Sequence, residues 1–209
     1  MRLNRWEFLS MNNPIRKWAM RRIEFDIFRR MLFDHQVDLN GKIILDAACG
    51  SAFSSTLIHE AFYPDRIISF DFMPEQVSRI PRETGRYRCF LGNVLQLGLK
   101  DQKMDVVFGF GFLHHVLDWR QAVCELARVT KAGGYIILEE PNGAASEFFR
   151  KYVRFAIPQE GQFSWRELES EFSLNGFRLL EYRPILLDCF RAYLFRKQPM
   201  ASGMNESSH

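Results

Sequence analysis

The 209-residue chain predicts an α/β fold, a doubly wound and mostly parallel sheet with helices on both faces, and three observations carry that prediction. The apolar run Ile43-Ile44-Leu45-Asp46 passes into small residues, Ala47-Ala48-Cys49-Gly50-Ser51-Ala52, and then into a helix start, which reads as buried strand, tight turn and helix N-terminus. A second apolar run, Ile67-Ile68-Ser69-Phe70, ends in an acid, Asp71. Beyond it strand-like and helix-like segments keep alternating, as parallel strands joined by helical crossovers require. Such crossovers turn right-handed and leave ligands at the carboxyl ends of the strands.

Taken in order, residues 1–40 precede the first strand and read as an N-terminal helical cap or lid. Arg16, Lys17, Arg21, Arg22, Arg29 and Arg30 are set among Trp18, Ile23, Ile27, Phe28, Met31 and Leu32. At about 100° per residue, Ile15, Trp18, Ala19 and Ile23 share one side while Ile27, Phe28, Met31 and Leu32 share nearly the opposite one, so two helices or a bend near Glu24 to Asp26 is expected. A packed cap, a substrate lid and a peripheral contact with a membrane surface are all open to such a segment. Asn40-Gly41 turns the chain into the first strand. Ser54 to Phe62 reads as a helix, broken by Tyr63-Pro64-Asp65 before the second strand, and Pro74 starts another near Glu75 to Arg79. Arg88 to Leu91 is a short third strand ending at Gly92-Asn93, and Met104 to Phe108 is the fourth. Gln121 to Val129 is an amphipathic helix that Ala132-Gly133-Gly134 separates from a fifth strand, Tyr135 to Glu139. Trp165 to Asn175 is a helix closed by Gly176, followed by strands at Phe177 to Tyr182 and Phe190 to Phe195 with Pro184 in the connection between them. Residues 198–209 are polar and read as a mobile tail.

Composition sets bounds. With 47% hydrophobic residues the chain can bury one sizeable core, which favours one domain with extra segments over two. A net charge of +3 decides nothing about nucleic acid, since phosphate binding needs a clustered patch. Cys49, Cys89, Cys124 and Cys189 lack the paired spacing of metal ligands, so no metal site is expected, and reduced thiols in a cytoplasmic protein are the default. No apolar run approaches the roughly 20 residues that span a bilayer. The sequence is silent on oligomeric state.

Strand, small-residue turn and an acid about 20 positions beyond Gly50 point to a nucleoside cofactor, whose ribose hydroxyls such an acid holds. Asp46 to Gly50, Asp71, Gly92-Asn93 and Phe112-Leu113-His114-His115 resemble, in order and spacing, the successive motifs of class I S-adenosylmethionine-dependent methyltransferases, of the small-molecule type 11-like group. The resemblance implies a Rossmann-like sheet of seven strands with the last inserted antiparallel, a cofactor-binding domain over residues 41–197, and a substrate-cover insertion over residues 143–165. Ala48 and Ala52 stand where the family usually has glycine, so this loop has less freedom to adopt positive φ.

For the sites, backbone around Ala47, Ala48, Cys49 and Gly50 would approach the methionyl part of S-adenosylmethionine, Asp46 would orient that loop, and Asp71 would accept both ribose hydroxyls. Asn93 with Val94 falls where the family meets the adenine amino group, and Phe72 and Met73 would flank adenine and ribose. Phe110, Gly111 and Phe112 would shape the space where sulfonium and acceptor face each other. His114 and His115, at the carboxyl end of the fourth strand, are the candidate bases for an acceptor that must lose a proton, although Leu-His-His is also a helix start in this family. Glu140 is a second candidate for base or substrate contact. On the acceptor side, Phe149, Arg150 and Arg154 belong to an aromatic, basic stretch suited to an apolar pocket with an anion-binding rim. No Asn-Pro-Pro-Tyr or Asp-Pro-Pro-Tyr follows the fourth strand, which favours a small organic or lipid-like acceptor over nucleic acid. Two further readings stay open: a nicotinamide-dependent oxidoreductase, which Phe53 at the third fingerprint position disfavours, and a catalytically silent cofactor-binding partner protein.

Overall fold

The computed structural model describes residues 13–80, 85, 87–141 and 163–199. Seven strands form one sheet: β1 (Ile43–Ala47), β2 (Arg66–Asp71), β3 (Arg88–Leu91), β4 (Met104–Phe110), β5 (Thr130–Pro141), β6 (Phe177–Ile185) and β7 (Phe190–Lys197). Their spatial order is β3-β2-β1-β4-β5-β7-β6. β1 to β5 pair in parallel, and β7 lies antiparallel to both β5 and β6. The helices are α1 (Pro14–Ala19), α2 (Phe25–Asp34), α3 (Phe53–Phe62), α4 (Pro74–Val77), α5 (Trp119–Val129) and α6 (Trp165–Leu174).

Strand alternation sorts the core into two layers. Leu45, Phe70, Val107, Ile136 and Phe195 pack toward Val123 and Leu126 of α5 and Leu168 and Phe172 of α6. Their neighbours Ile44, Ile67, Val106, Ile137 and Leu194 pack the other way, on Phe28, Met31 and Leu32 of α2 and Leu57 and Ile58 of α3. Central strands covered on both faces must be apolar throughout, which is why β1 and β4 read as continuous apolar runs and not as alternating ones. Phe28 is fully buried and stacks on Phe110 at 4.8 Å between ring centroids. Burial of one such ring stabilises by about 2–3 kcal/mol, so α2 is bound to the sheet by its own side chains.

Several boundaries depart from the sequence reading, each for a local reason. The discontinuity in the N-terminal apolar pattern is met by a π-helical turn, Met20–Glu24, that joins α1 to α2 a few residues earlier than the expected bend. A wider turn rotates the following face, so Phe25, Phe28, Met31 and Leu32 reach the core while Trp18 stays exposed. α5 begins earlier, because the Asp118 side chain accepts the Gln121 N–H and caps the helix before Trp119. α4 stops at Val77. β5 begins at Thr130, pairing once with Met104 before the main register starts at Tyr135. Pro184 lies inside β6, paired with Arg191, and not in a connection. β6 is an edge strand, one of the places in a sheet that tolerate a residue without N–H.

Candidate functional site

Strand order reverses between β1 and β4, and the crevice outside such a switch point is where doubly wound sheets take ligands. A cavity of about 570 Å³ opens there. Ala48, Asp71, Phe72, Met73, Asn93 and Val94 line one rim, and Phe110, Gly111, Phe112 and His115 line the other. Asp46, Ala47, Cys49, Gly50, His114 and Glu140, also expected at the site, sit behind the walls and build them. Val116, Leu117 and Asp118 join the second rim without having been expected there, because they lack a motif of their own.

The β1–β2 rim is tied together by hydrogen bonds, although Asp46 Oδ1 is buried without one among the described residues. Asp46 is fully buried, and its Oδ2 accepts the hydroxyls of Ser54 at 2.7 Å and Ser55 at 2.5 Å, which ties the start of α3 to the end of β1. Burial pushes the Asp46 carboxyl up to about 6 against the pull of those hydroxyls. The loop between them places Ala48 at φ 52°, Gly50 at 56° and Ala52 at 61°. An alanine there costs roughly 1–2 kcal/mol. The cost is offset by bonds the loop makes in that shape: Cys49 N–H to the Phe70 carbonyl at 2.9 Å, Ala52 N–H to the Cys49 carbonyl at 2.9 Å, and Gly50 N–H to Asp71 Oδ2 at 2.9 Å. Asp71 Oδ1 accepts the Met73 N–H at 2.8 Å. Burial raises the Asp71 carboxyl, and these N–H groups oppose the rise. Each of its oxygens keeps a further lone pair for a ligand. Cys49 faces away from the cavity, its Sγ 3.5 Å from that of Cys89. Asn93 reaches the cavity, but its Oδ1 accepts the Leu95 N–H at 3.0 Å, so it is also the turn residue at the end of β3.

The β4–β5 rim treats its two histidines differently. Glu140 is fully buried: Oε1 accepts the N–H groups of Phe112 at 3.0 Å and Leu113 at 2.8 Å, and Oε2 meets His114 Nδ1 at 2.8 Å. Those bonds pin the 3-10 turn Leu113–His115 and occupy Glu140, so this residue is not placed to receive a substrate proton. His114 is turned onto Glu140, whereas His115 lines the cavity. Burial, with the neighbouring His114, holds the His115 imidazole down at about 3, a neutral ring whose Nδ1 is buried without a partner. Such a ring is a weak proton acceptor near neutral pH.

Glu139, on the opposite face of β5 from Glu140, is 4% exposed, and its Oε2 lies 3.4 Å from where a Cβ on Gly111 would stand. It makes no hydrogen bond among the described residues, and Arg16 and Glu24, paired with each other across the π-helical turn, act on it electrostatically. The signal for Glu139 was in the sequence, since residues adjacent on a strand face opposite ways, but nothing there said which of the two glutamates would be tied up. Phe149, Arg150 and Arg154 lie outside the described residues. Among the described residues no group of three or more His, Cys, Asp or Glu is placed to hold a metal, and no helix is long and apolar enough to cross a membrane.

A family model described as a methyltransferase domain matches residues 45–138. The demethylmenaquinone methyltransferase of Geobacillus kaustophilus is 31% identical over 190 residues, covering 76% of this chain and 78% of that protein. A probable S-adenosylmethionine-dependent methyltransferase of Mycolicibacterium smegmatis is 31% identical over 102 residues, 49% of this chain, and the match spans only 39% of that longer protein. Among solved structures, the putative methyltransferase of a complex with the Haloferax volcanii Trm112 methyltransferase activator superposes with a TM-score of 0.74 over 92% of this chain and 98% of its own. Its sequence identity is 15%, so that likeness speaks for the fold alone.

Proposed function

The chain belongs to the S-adenosylmethionine-dependent methyltransferases, and from that membership we propose that it transfers a methyl group to a small organic or lipid-like acceptor bound beside the β4–β5 rim. The observation that carries this reading is the Asp71 carboxylate. It sits at the end of β2 on the cavity wall, already fixed by two loop N–H groups and with acceptor capacity left for a ribose diol.

The residues present fit the group the family uses. Phe72, Met73 and Val94 offer apolar faces for a purine on either side of Asp71, and Asn93 offers its amide at the edge. Ala48, whose small side chain faces the cavity, leaves room for the methionyl chain toward Gly111. Bound there, S-adenosylmethionine supplies an electrophilic methyl on a sulfonium. The chain's own contribution is to hold it, exclude water with Phe110 and Phe112, and align an acceptor with the carbon–sulfur axis. An apolar lining supports a hydrophobic acceptor, as does the relative whose name specifies a demethylmenaquinone. The cytoplasm is the compartment this chemistry fits.

Calorimetric titration with S-adenosylmethionine, S-adenosylhomocysteine and NADH tests the first half. The first two should bind and NADH should not. Transfer of a deuterated methyl to a panel of quinols, phenols and acyl thioesters, read by mass spectrometry, tests the second. An S-adenosylmethionine titration that gives no heat overturns the reading. Cofactor binding without transfer to any acceptor would favour the silent partner protein.

A further inference from the structure

Resting on the methyl-transfer reading, we propose that Glu139 is the proton acceptor for the methyl acceptor, and that the acceptor is a molecule with an ionisable hydroxyl, a phenol or an enol. The placement is geometric. Glu139 follows β5 to its carboxyl end and turns to the face covered by α1 and the π-helical turn, with Oε2 against the open side of Gly111. Gly111 lines the cavity beside Phe110 and Phe112, where the methyl must be transferred. A Cβ at position 111 would stand 3.4 Å from that oxygen, and glycine leaves the space beside it open.

A buried carboxyl without a hydrogen bond is costly, and such a group calls for an explanation, a catalytic role among them. The other acids of this rim are engaged: Glu140 by the Phe112 and Leu113 N–H groups and His114, and Glu24 through Oε1 by Arg16. His115 is held neutral at low pH. Among the described residues, Glu139 is the one of these groups with no hydrogen bond to either oxygen.

The groups that face it set its charge. Burial raises the Glu139 carboxyl well above the usual carboxylate range, the Glu24 carboxylate and Glu140 push it further, and the Arg16 guanidinium opposes them. A raised carboxyl is closer to a phenolic hydroxyl in proton affinity and therefore a better base toward it than an exposed glutamate. In the step itself, the acceptor oxygen gives its proton to Glu139 and its electron pair to the methyl carbon, or passes that pair through the ring to an ortho carbon. The methyl's bond to sulfur breaks with its pair left on sulfur. Glu139 later returns its proton to solvent; in the second case the ring carbon also loses its proton and the oxygen takes one back, so one proton is released either way.

The test uses the full chain, S-adenosylmethionine, and 1,4-naphthoquinol and catechol as acceptor probes. Glu139→Gln should lower kcat on the order of a hundredfold while calorimetric affinity for S-adenosylmethionine stays within about threefold, and circular dichroism checks that the variant is folded. Glu24→Gln supplies an independent check, because removing a carboxylate that raises Glu139 should move the acid limb of the rate profile to lower pH. A loss of cofactor affinity in Glu139→Gln with kcat retained would overturn the proposal and make Glu139 a cofactor contact. So would wild-type protein that binds S-adenosylmethionine and methylates neither probe, or an acid limb unmoved by Glu24→Gln. Wild-type protein that does not bind S-adenosylmethionine would overturn the cofactor reading itself, a distinct outcome.

Discussion

Each rim of the cavity carries two buried or nearly buried acids, from two neighbouring strands on one side and from β5 alone on the other, and each rim uses them in the same division. On the β1–β2 side Asp46 is tied through one oxygen to Ser54 and Ser55 while Asp71 faces the cavity. On the β4–β5 side Glu140 is consumed by the Phe112 and Leu113 N–H groups while Glu139, beside Gly111, has no hydrogen bond among the described residues. The difference is in what holds the free acid. Asp71 is fixed by N–H groups 21 residues before it and two after, so one local unit makes a finished half-site. Glu139 depends on Arg16 and Glu24 from the other end of the chain. A ligand common to a whole family can be met by the first arrangement, and a ligand particular to one member by the second.

The largest expected effect breaks the finished rim. Gly50 sits at φ 56°, and an ideal Cβ there meets nothing within 4 Å, so the obstacle to substitution is conformational and not a clash within the chain. Gly50→Val should lower affinity for S-adenosylmethionine at least hundredfold by calorimetry, because a β-branched residue cannot hold that φ and the Asp71 bond at once. Gly50→Ala should cost only about 1 kcal/mol of affinity, since Ala48 and Ala52 already occupy the same backbone region on either side.

A second comparison sets the rims against each other through pH. Asp46 holds its proton up to about 6 in the native state, against about 3.9 when unfolded. Its contribution is therefore complete below about pH 4 and is lost as pH rises through 6, a change of roughly 3 kcal/mol. His115 runs the other way: a ring held at about 3 against about 6.5 unfolded contributes fully above pH 6.5 and loses stability as pH falls. In urea unfolding, Asp46→Asn should gain on wild type between pH 4 and pH 7, and His115→Gln should gain on wild type as pH drops from 7 to 4. Parallel profiles for wild type and either variant would remove that residue from the account.

Asp71→Asn comes next in size. It keeps one acceptor oxygen and loses the charge, so affinity for S-adenosylmethionine should fall by about 2 kcal/mol, near thirtyfold. The melting temperature should fall too, because the same oxygens hold the Gly50 and Met73 N–H groups. An affinity loss with no thermal change would show that the loop is held without Asp71.

These effects also explain what could be read from the sequence. Asp46, Gly50 and Asp71 were legible because strand, tight turn and strand-end acid are written within 26 residues of one another, and the left-handed loop demands small side chains at 48, 50 and 52. Strands β1, β2 and β4 were legible for a related reason, since burial on both faces fills them with apolar residues. Pro184 was misplaced because a proline signals a break unless the strand is known to be an edge, and edges exist only in the assembled sheet. The choice between Glu139 and Glu140 needed β5 in register with β4 and an N-terminal helix laid across its end. The π-helical turn that swings Arg16 and Glu24 into that position has no signature beyond a broken apolar face.

The smallest effect expected concerns His114, and it separates positioning from proton transfer on the second rim. Its ring is turned from the cavity onto Glu140, and Nδ1 supplies one contact to a carboxylate that also holds the N–H groups of Phe112 and Leu113. His114→Ala removes that one contact and leaves three N–H groups in place, those of residues 112, 113 and 114, so the turn should keep its shape at a cost near 1 kcal/mol. Turnover with 1,4-naphthoquinol should fall less than tenfold, with cofactor affinity unchanged and the acid limb of the rate where wild type has it. Glu140→Ala should do more than His114→Ala on every readout, because it releases the whole turn and with it the Phe112 wall. A hundredfold fall in His114→Ala with loss of the acid limb would mean that the ring swings into the cavity during turnover and takes the proton itself, and the role argued for Glu139 would pass to it.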